Sequence, residues 1–225
     1  VDKPLIVLIG GASGVGKTSL AISLANLLDI PRAVATDDLR QVMRLTLTRE
    51  LAPALHASSY TAWKSISSTM GEDAVISGFR EQARVVCVGV KAIISRCIEE
   101  NSSVIIDGVH LISDLLELET YAGDAFITPV CLGLPDREAF EGRFAQRASE
   151  APARPVHHYL EHLDEILKIQ DYLIKTSTAP GIPVITTSTV ESLTSKVSMV
   201  VSEQLQEQEE IKKALNAARK GRKKQ

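Results

Sequence analysis

At 225 residues, with 44% hydrophobic and 24% charged side chains, the chain can bury one sizeable α/β core and is too short for two full catalytic domains. It has no apolar run of about 18 residues or more and no charged, apolar, small-residue leader, which predicts a soluble, cytoplasmic protein without a membrane partner. The net charge of −3 is uneven: Lys212, Lys213, Arg219, Lys220, Arg222, Lys223 and Lys224 contribute +7 with no acid after Glu210, so the rest carries −10. An acidic body argues against a general nucleic-acid-binding surface and leaves only the tail to touch one.

The first predicted strand is the apolar run at residues 5 to 9. Directly after it, Gly11-Ala12-Ser13-Gly14-Val15-Gly16-Lys17-Thr18 forms a complete phosphate-binding loop, and a helix over 17 to 28 follows with Leu20, Leu24, Leu27 and Leu28 at helical spacing. The glycines let successive N–H groups, as far as Ser19, converge on phosphates, and the helix start adds its partial positive charge. Lys17 is placed to reach the β and γ phosphates of ATP and Thr18 to set its hydroxyl on Mg²⁺.

A second strand over 32 to 35 leads into a helix over 38 to 50, where Asp37, Arg40 and Arg44 fall at i, i+3 and i+7. A carboxylate that orients an acceptor hydroxyl, beside guanidiniums that grip an anion, is what phosphoryl transfer requires. Helix capping by Thr36 or Asp37 with a solvated basic face is the plainer alternative. Leu55-His56-Ala57-Ser58-Ser59-Tyr60 is a polar cluster between helical stretches that spacing alone makes only a loop. A long packing helix over 73 to 100 follows, with apolar or small residues at a 3.6 period.

The third strand, 103 to 107, ends in Asp107-Gly108-Val109-His110. Placed beside the first strand, Asp107 can hold a water of the Mg²⁺ shell, because that ion keeps several waters and few protein ligands. His110, a lone histidine, is weaker evidence and equally suits a structural hydrogen bond. After a helix over 112 to 120 and a strand over 126 to 132, a helix over 136 to 149 carries Arg143 and Arg147 one turn apart, with Arg137 upstream. Such a stripe can close as a lid over the transferring phosphoryl group, or form ordinary surface pairs with Glu138. Arg154 lies in the Pro-flanked loop 151 to 155.

A helix over 157 to 177, a strand over 183 to 187 and a helix over 190 to 218 complete the pattern. The fold class is therefore α/β: five parallel strands covered by helices on both faces. A domain over 1 to 211, with its lid at about 136 to 156, precedes a basic tail over 212 to 225 that reads as a solubilising helix end. Cys87, Cys97 and Cys131 lack CxxC spacing and read as buried, reduced thiols.

Six pieces taken together resemble the 2-phosphoglycerate kinase family over residues 5 to about 190: the segment from Gly10 to Lys17, Ala35 to Arg44, Leu55 to Tyr60, Asp107 to Leu111, Gly142-Arg143-Phe144 with Arg147, and Lys168 to Leu173. The resemblance implies a three-layer P-loop kinase fold and transfer of the γ-phosphoryl group of ATP to 2-phosphoglycerate, with Mg²⁺. It implies catalytic roles for Lys17, Asp37, Arg143 and Arg147. It gives Arg40 and Arg44 the carboxylate and phosphate of the acceptor, and counts His56, Ser58, Ser59, Tyr60 and His110 with the acceptor site. The strand-end position commonly Glu in that family is Asp107 here. A kinase of another anionic polyol, such as an inositol phosphate, and a nucleotide-dependent module whose tail binds nucleic acid remain the alternatives; oligomeric state is not legible.

Overall fold

The computed structural model describes residues 3–66, 73–150, 156–186 and 190–222. At its centre lies β1 (Leu5–Gly11), flanked by β3 (Val104–Asp107) and β4 (Phe126–Gly133), with β2 (Ala33–Ala35) and β5 (Val184–Thr186) at the edges. All four pairings are parallel, in the order β2-β3-β1-β4-β5. Ile6 to Ile9 and Val104 to Asp107 are buried without alternation, as expected of strands covered on both sides.

Side chains alternate across the sheet and divide the core. Val7, Ile9 and Ile105 pack with Leu20 and Leu24 of α1 (Lys17–Leu27) and with Leu193 and Val197 of α8 (Val190–Arg222). Ile6, Leu8 and Ile106 pack with Val86, Val90, Ile94 and Cys97 of α3 (Ala74–Glu99). On the α3 side, α2 (Thr36–Thr46) packs outside α3, and α7 (Leu163–Thr178) lies beside it along β4. This is the three-layer P-loop kinase arrangement that the sequence predicts. Cys87, Cys97 and Cys131 are free and buried.

The helix boundaries differ in four places. α2 begins at Thr36 and ends at Thr46, because Ala35 and Leu47 are both extended (ψ 135 and 123°), and Pro53–His56 and Ala62–Ser65 form 3₁₀ turns. Asp37 and Asp38 thus stand in the first turn, where the helix dipole favours carboxylates. Glu117 takes a left-handed conformation (φ 52°) and divides the predicted 112 to 120 helix into α4 (Ser113–Leu116) and a 3₁₀ turn. His162, at φ −116°, separates α6 (Val156–Glu161) from α7. The last helix continues to Arg222, four residues past its predicted end. Among the described residues no helix is long and apolar enough to cross a membrane.

The chain leaves β1 toward β2 and β3 on one side and later crosses to β4 on the other. The carboxyl end of β1 is therefore the switch point at which open parallel sheets take their ligands. The loop after β1, the start of α2 after β2 and Asp107 at the end of β3 meet there.

Candidate active site

The loop at this edge is held in shape by backbone conformation and close packing. Gly11, Gly14 and Gly16 have φ of 138, 97 and 95°, which other residues reach only under strain. A side chain at Gly14 would also run into the Phe144 ring at 2.6 Å. Gly16 caps α1 in a left-handed conformation with no side-chain cap hydrogen bond, and the N–H groups of a helix's first turn point out of its N-terminal end. Here Lys17 Nζ donates to Ala12 O at 2.7 Å, and Thr18 Oγ1 donates to Asp107 Oδ2 at 2.9 Å.

Asp107 is only 3% exposed, and burial pushes its carboxyl above the usual range; the Thr18 hydrogen bond and the Lys17 charge oppose this, and Asp37 and Asp38 add to it. A hydroxyl and a carboxylate side by side form a hard oxygen donor pair that suits Mg²⁺. Among the described residues no group of three or more His, Cys, Asp or Glu gathers to hold a metal.

Arg143 lies beside the same loop. It lies on α5 (Arg137–Glu150), and its guanidinium nitrogens stand 3.7 and 3.9 Å from the place a Cβ on Gly16 would occupy. Its Nε and Nη2 are buried with no hydrogen-bond partner among the described residues. Orphaned donors on a cation cost at least about 1–3 kcal/mol. An anion bound in the loop would satisfy them. Arg137 pairs instead with Asp164 of α7, and no pair forms with Glu138 among the described residues. The backbone of Arg147 continues α5, but its side chain, Arg154 and the side chains of the basic tail lie outside the described residues.

On α2 the predicted face is divided. Arg40 Nε meets Asp37 Oδ1 at 3.4 Å, while its Nη1 donates to Leu55 O at 3.3 Å and Ala57 O at 3.1 Å. The Arg40 side chain is 12% exposed and that of Asp37 68%, so the carboxylate faces outward from a fixed guanidinium. Arg44 donates to Gln41 Oε1 at 3.2 Å and does not join the other two.

The 55 to 60 cluster also turns partly inward. His56 Nε2 donates to Leu47 O at 2.9 Å, which closes the loop after α2. Ser59 is buried and Ser58 half-buried. Burial raises the pKa of the Tyr60 phenol, partly opposed by its hydrogen bond with Ser58. The Tyr60 ring lies 5.9 Å from Tyr159 and 5.3 Å from His162; Tyr159 stacks on Phe144 at 5.0 Å and 12°. An aromatic series thus joins the 55 to 60 loop to the ring seated on Gly14.

His110 is completely buried, so it stands behind the site and not in it. Its Nδ1 is 2.8 Å from Thr36 Oγ1 and its Nε2 3.0 Å from Gln82 Oε1. Sequence reasoning missed Gln82, although a signal existed: a polar residue three after Phe79 and four before Val86, on the buried stripe of α3. It also missed Phe144 as the ring under Gly14, because nothing local relates α5 to the loop.

No protein-family model matches the chain. Among curated proteins, it is 38% identical over 194 residues to the 2-phosphoglycerate kinase of Pyrococcus horikoshii, covering 86% of this chain and 63% of that protein. It is 36% identical over 203 residues to that of Methanocaldococcus jannaschii (90% and 65%) and 34% identical over 203 residues to that of Thermococcus kodakarensis (90% and 68%). The chain thus spans slightly less than two thirds of the first two. Among solved structures, a gluconokinase from Sinorhizobium meliloti superposes with a TM-score of 0.53 at 11% identity, over 90% of this chain and 94% of that one. An uncharacterized protein from Eubacterium ventriosum gives 0.50 at 16% identity, over 89% and 99%. At such identities the solved structures support the fold alone.

Proposed function

Because the chain belongs to the 2-phosphoglycerate kinase family, we propose that it uses ATP and Mg²⁺ to phosphorylate the free hydroxyl of 2-phosphoglycerate, giving 2,3-bisphosphoglycerate. The observation that carries the reading is the Arg143 guanidinium, with two buried nitrogens beside Gly16 that have no partner among the described residues. It is a cation placed for a phosphate that the loop beside it is shaped to hold.

In this reading the loop amides and Lys17, released from Ala12 O, bind the β and γ phosphates. Thr18 and Asp107 hold Mg²⁺, which when bound neutralises charge on the phosphate oxygens. Asp37 orients the acceptor hydroxyl toward the γ-phosphorus. Arg40 fixes Asp37 and, together with Arg44 and the hydroxyls of Ser58, Ser59 and Tyr60, borders the space for the acceptor's carboxylate and phosphate. Arg143, with Arg147 one turn on, offsets the charge of the transferring group, and residues 136 to 156 serve as the lid. Phosphoryl transfer passes through a loose transition state, so alignment and electrostatics supply most of the rate and little proton transfer is needed early. A cytoplasmic location, where free thiols stay reduced, belongs to the same proposal.

The test is ADP release from the purified chain with ATP, Mg²⁺ and a panel of 2-phosphoglycerate, 3-phosphoglycerate, glycerate and inositol phosphates. Turnover with 2-phosphoglycerate at the highest kcat/KM is expected. A preference for an inositol phosphate refutes the acceptor assignment. Acceptor-independent ATP use, or none, refutes the kinase reading.

A further inference from the structure

Gln82 is completely buried on α3, on the stripe that carries Phe79, Ala83 and Val86. A primary amide is tolerated in such a place only when its polar groups are paired. Its Nε2 donates to Ala54 O at 2.7 Å and to Ala57 O at 2.9 Å. Both amide protons are therefore spent on carbonyls, and Oε1 is left to accept from His110 Nε2 at 3.0 Å. The histidine then carries its proton on Nε2, and its Nδ1 accepts from the Thr36 hydroxyl at 2.8 Å.

The donors run in one direction through four segments: Thr36 at the start of α2, His110 after β3, Gln82 on α3, and the loop from Ala54. The loop is tied back to α2 by Arg40, which shares Ala57 O with Gln82 at 3.1 Å and meets Asp37 at 3.4 Å. The result is a closed ring. Every segment proposed to face the acceptor belongs to it, whereas the Lys17–Ala12 and Thr18–Asp107 hydrogen bonds lie outside it.

We infer that Gln82 is the positioning residue of the acceptor half: through His110 and the carbonyls of Ala54 and Ala57 it sets where the loop bearing Ser58, Ser59 and Tyr60 stands relative to Asp37 and Arg40. It does so without touching either substrate. The charges facing His110 are Asp37 and Arg40 from α2 and Lys17 from α1, and the Cys87 thiol of α3 donates to its carbonyl at 3.3 Å. Burial, reinforced by the Arg40 and Lys17 charges and opposed by Asp37, keeps the imidazole neutral, as the ring of hydrogen bonds requires. The assignment of this half to the acceptor rests on the function proposed above.

The experiment compares Gln82→Met, Thr36→Val and Thr36→Ser in the full chain by steady-state kinetics, direct ATP binding and ¹⁵N spectra of the imidazoles. Gln82→Met and Thr36→Val should raise the acceptor KM and lower kcat, up to about 100-fold, the effect of a displacement near 1 Å. The ATP Kd should stay at its wild-type value, and Thr36→Ser should recover most of what Thr36→Val loses. Wild-type His110 should show the Nε2-protonated tautomer at neutral pH. Equal losses for both substrates, no recovery by serine, or an Nδ1-protonated or cationic His110 would overturn the inference. If the wild type uses an acceptor other than 2-phosphoglycerate, the function proposed above fails by itself and the same KM split is read with that acceptor. If it uses none, the tautomer decides.

Discussion

Gly108→Ala places the smallest possible addition at the most crowded point of the site. A Cβ there would lie 2.6 Å from Thr36 Cβ and 2.7 Å from its Cγ2, and closer still to its Oγ1. All three belong to a short, β-branched side chain that is completely buried at the start of α2, so it has no free end to swing away. Overpacking of this kind costs about 1–3 kcal/mol. Displacing Oγ1 also breaks its 2.8 Å contact with His110 Nδ1, and a buried acceptor left unpaired costs about 1–3 kcal/mol more. The two together centre on about 4 kcal/mol, which for a chain of this size lowers Tm by about 8–16 °C. Thermal unfolding followed by circular dichroism measures it, and Thr36→Gly supplies the control. Removing the Thr36 side chain clears the obstruction, so Gly108→Ala combined with Thr36→Gly should be more stable than the sum of the single losses allows. Wild-type Tm in Gly108→Ala, or strict additivity in the pair, would refute the contact as the cause.

Arg143→Met should lower kcat by about 10²–10³, as loss of a preorganised charge does, yet leave stability unchanged or raise it, because it removes buried donors that have no described partner; a clear fall in Tm would show that Arg143 is paired in the free protein. Lys17→Ala should reduce turnover by at least about 100-fold with the fold intact, and retained activity would remove the loop from the chemistry. Burial lowers the pKa of His110 from 6.5 to about 4, so the unfolded chain binds its proton first and stability falls as pH drops from 6.5 toward 4. The full shift corresponds to about 3 kcal/mol. Because Asp107 is shifted upward and slopes the opposite way, losing stability as pH rises through its own window, the difference between wild type and His110→Gln isolates the histidine. Equal slopes for the two proteins between those pH values would show that His110 is not held neutral. Asp107→Asn should raise stability at neutral pH by relieving a buried carboxylate and weaken the Mg²⁺ dependence of turnover; an unchanged Mg²⁺ requirement would place the metal elsewhere.

Local signals account for what was legible. The strands begin and end within two residues of their predicted limits, because a run such as Leu5 to Ile9, apolar without alternation, has few other places to go than a covered sheet. The phosphate loop is equally local, since conformation and chemistry lie within eight consecutive residues. Asp107 was readable because a strand-end carboxylate in a parallel sheet falls on the ligand edge wherever its strand is placed. The stretch after α2 was not readable. His56 carries no mark in sequence of whether its ring meets a ligand or the carbonyl of Leu47, nine residues earlier.

Arg40 shows the same limit from the other side. Its spacing from Asp37 predicts their contact, but its other bonds, to Leu55 O and Ala57 O, depend on a loop that returns from well beyond the helix. The sequence by itself determined the class of sheet, the phosphate loop and the residues able to serve it, because period, composition and backbone freedom act over a few neighbouring residues. Tertiary structure alone decided that Arg143 is buried against Gly16, that His110 stands behind the site, and that Gln82 joins its segments. Those facts arise where residues 25 to 127 positions apart are brought within hydrogen-bonding or van der Waals distance, and hydrogen bonding between such partners is dictated by packing, which no local pattern records.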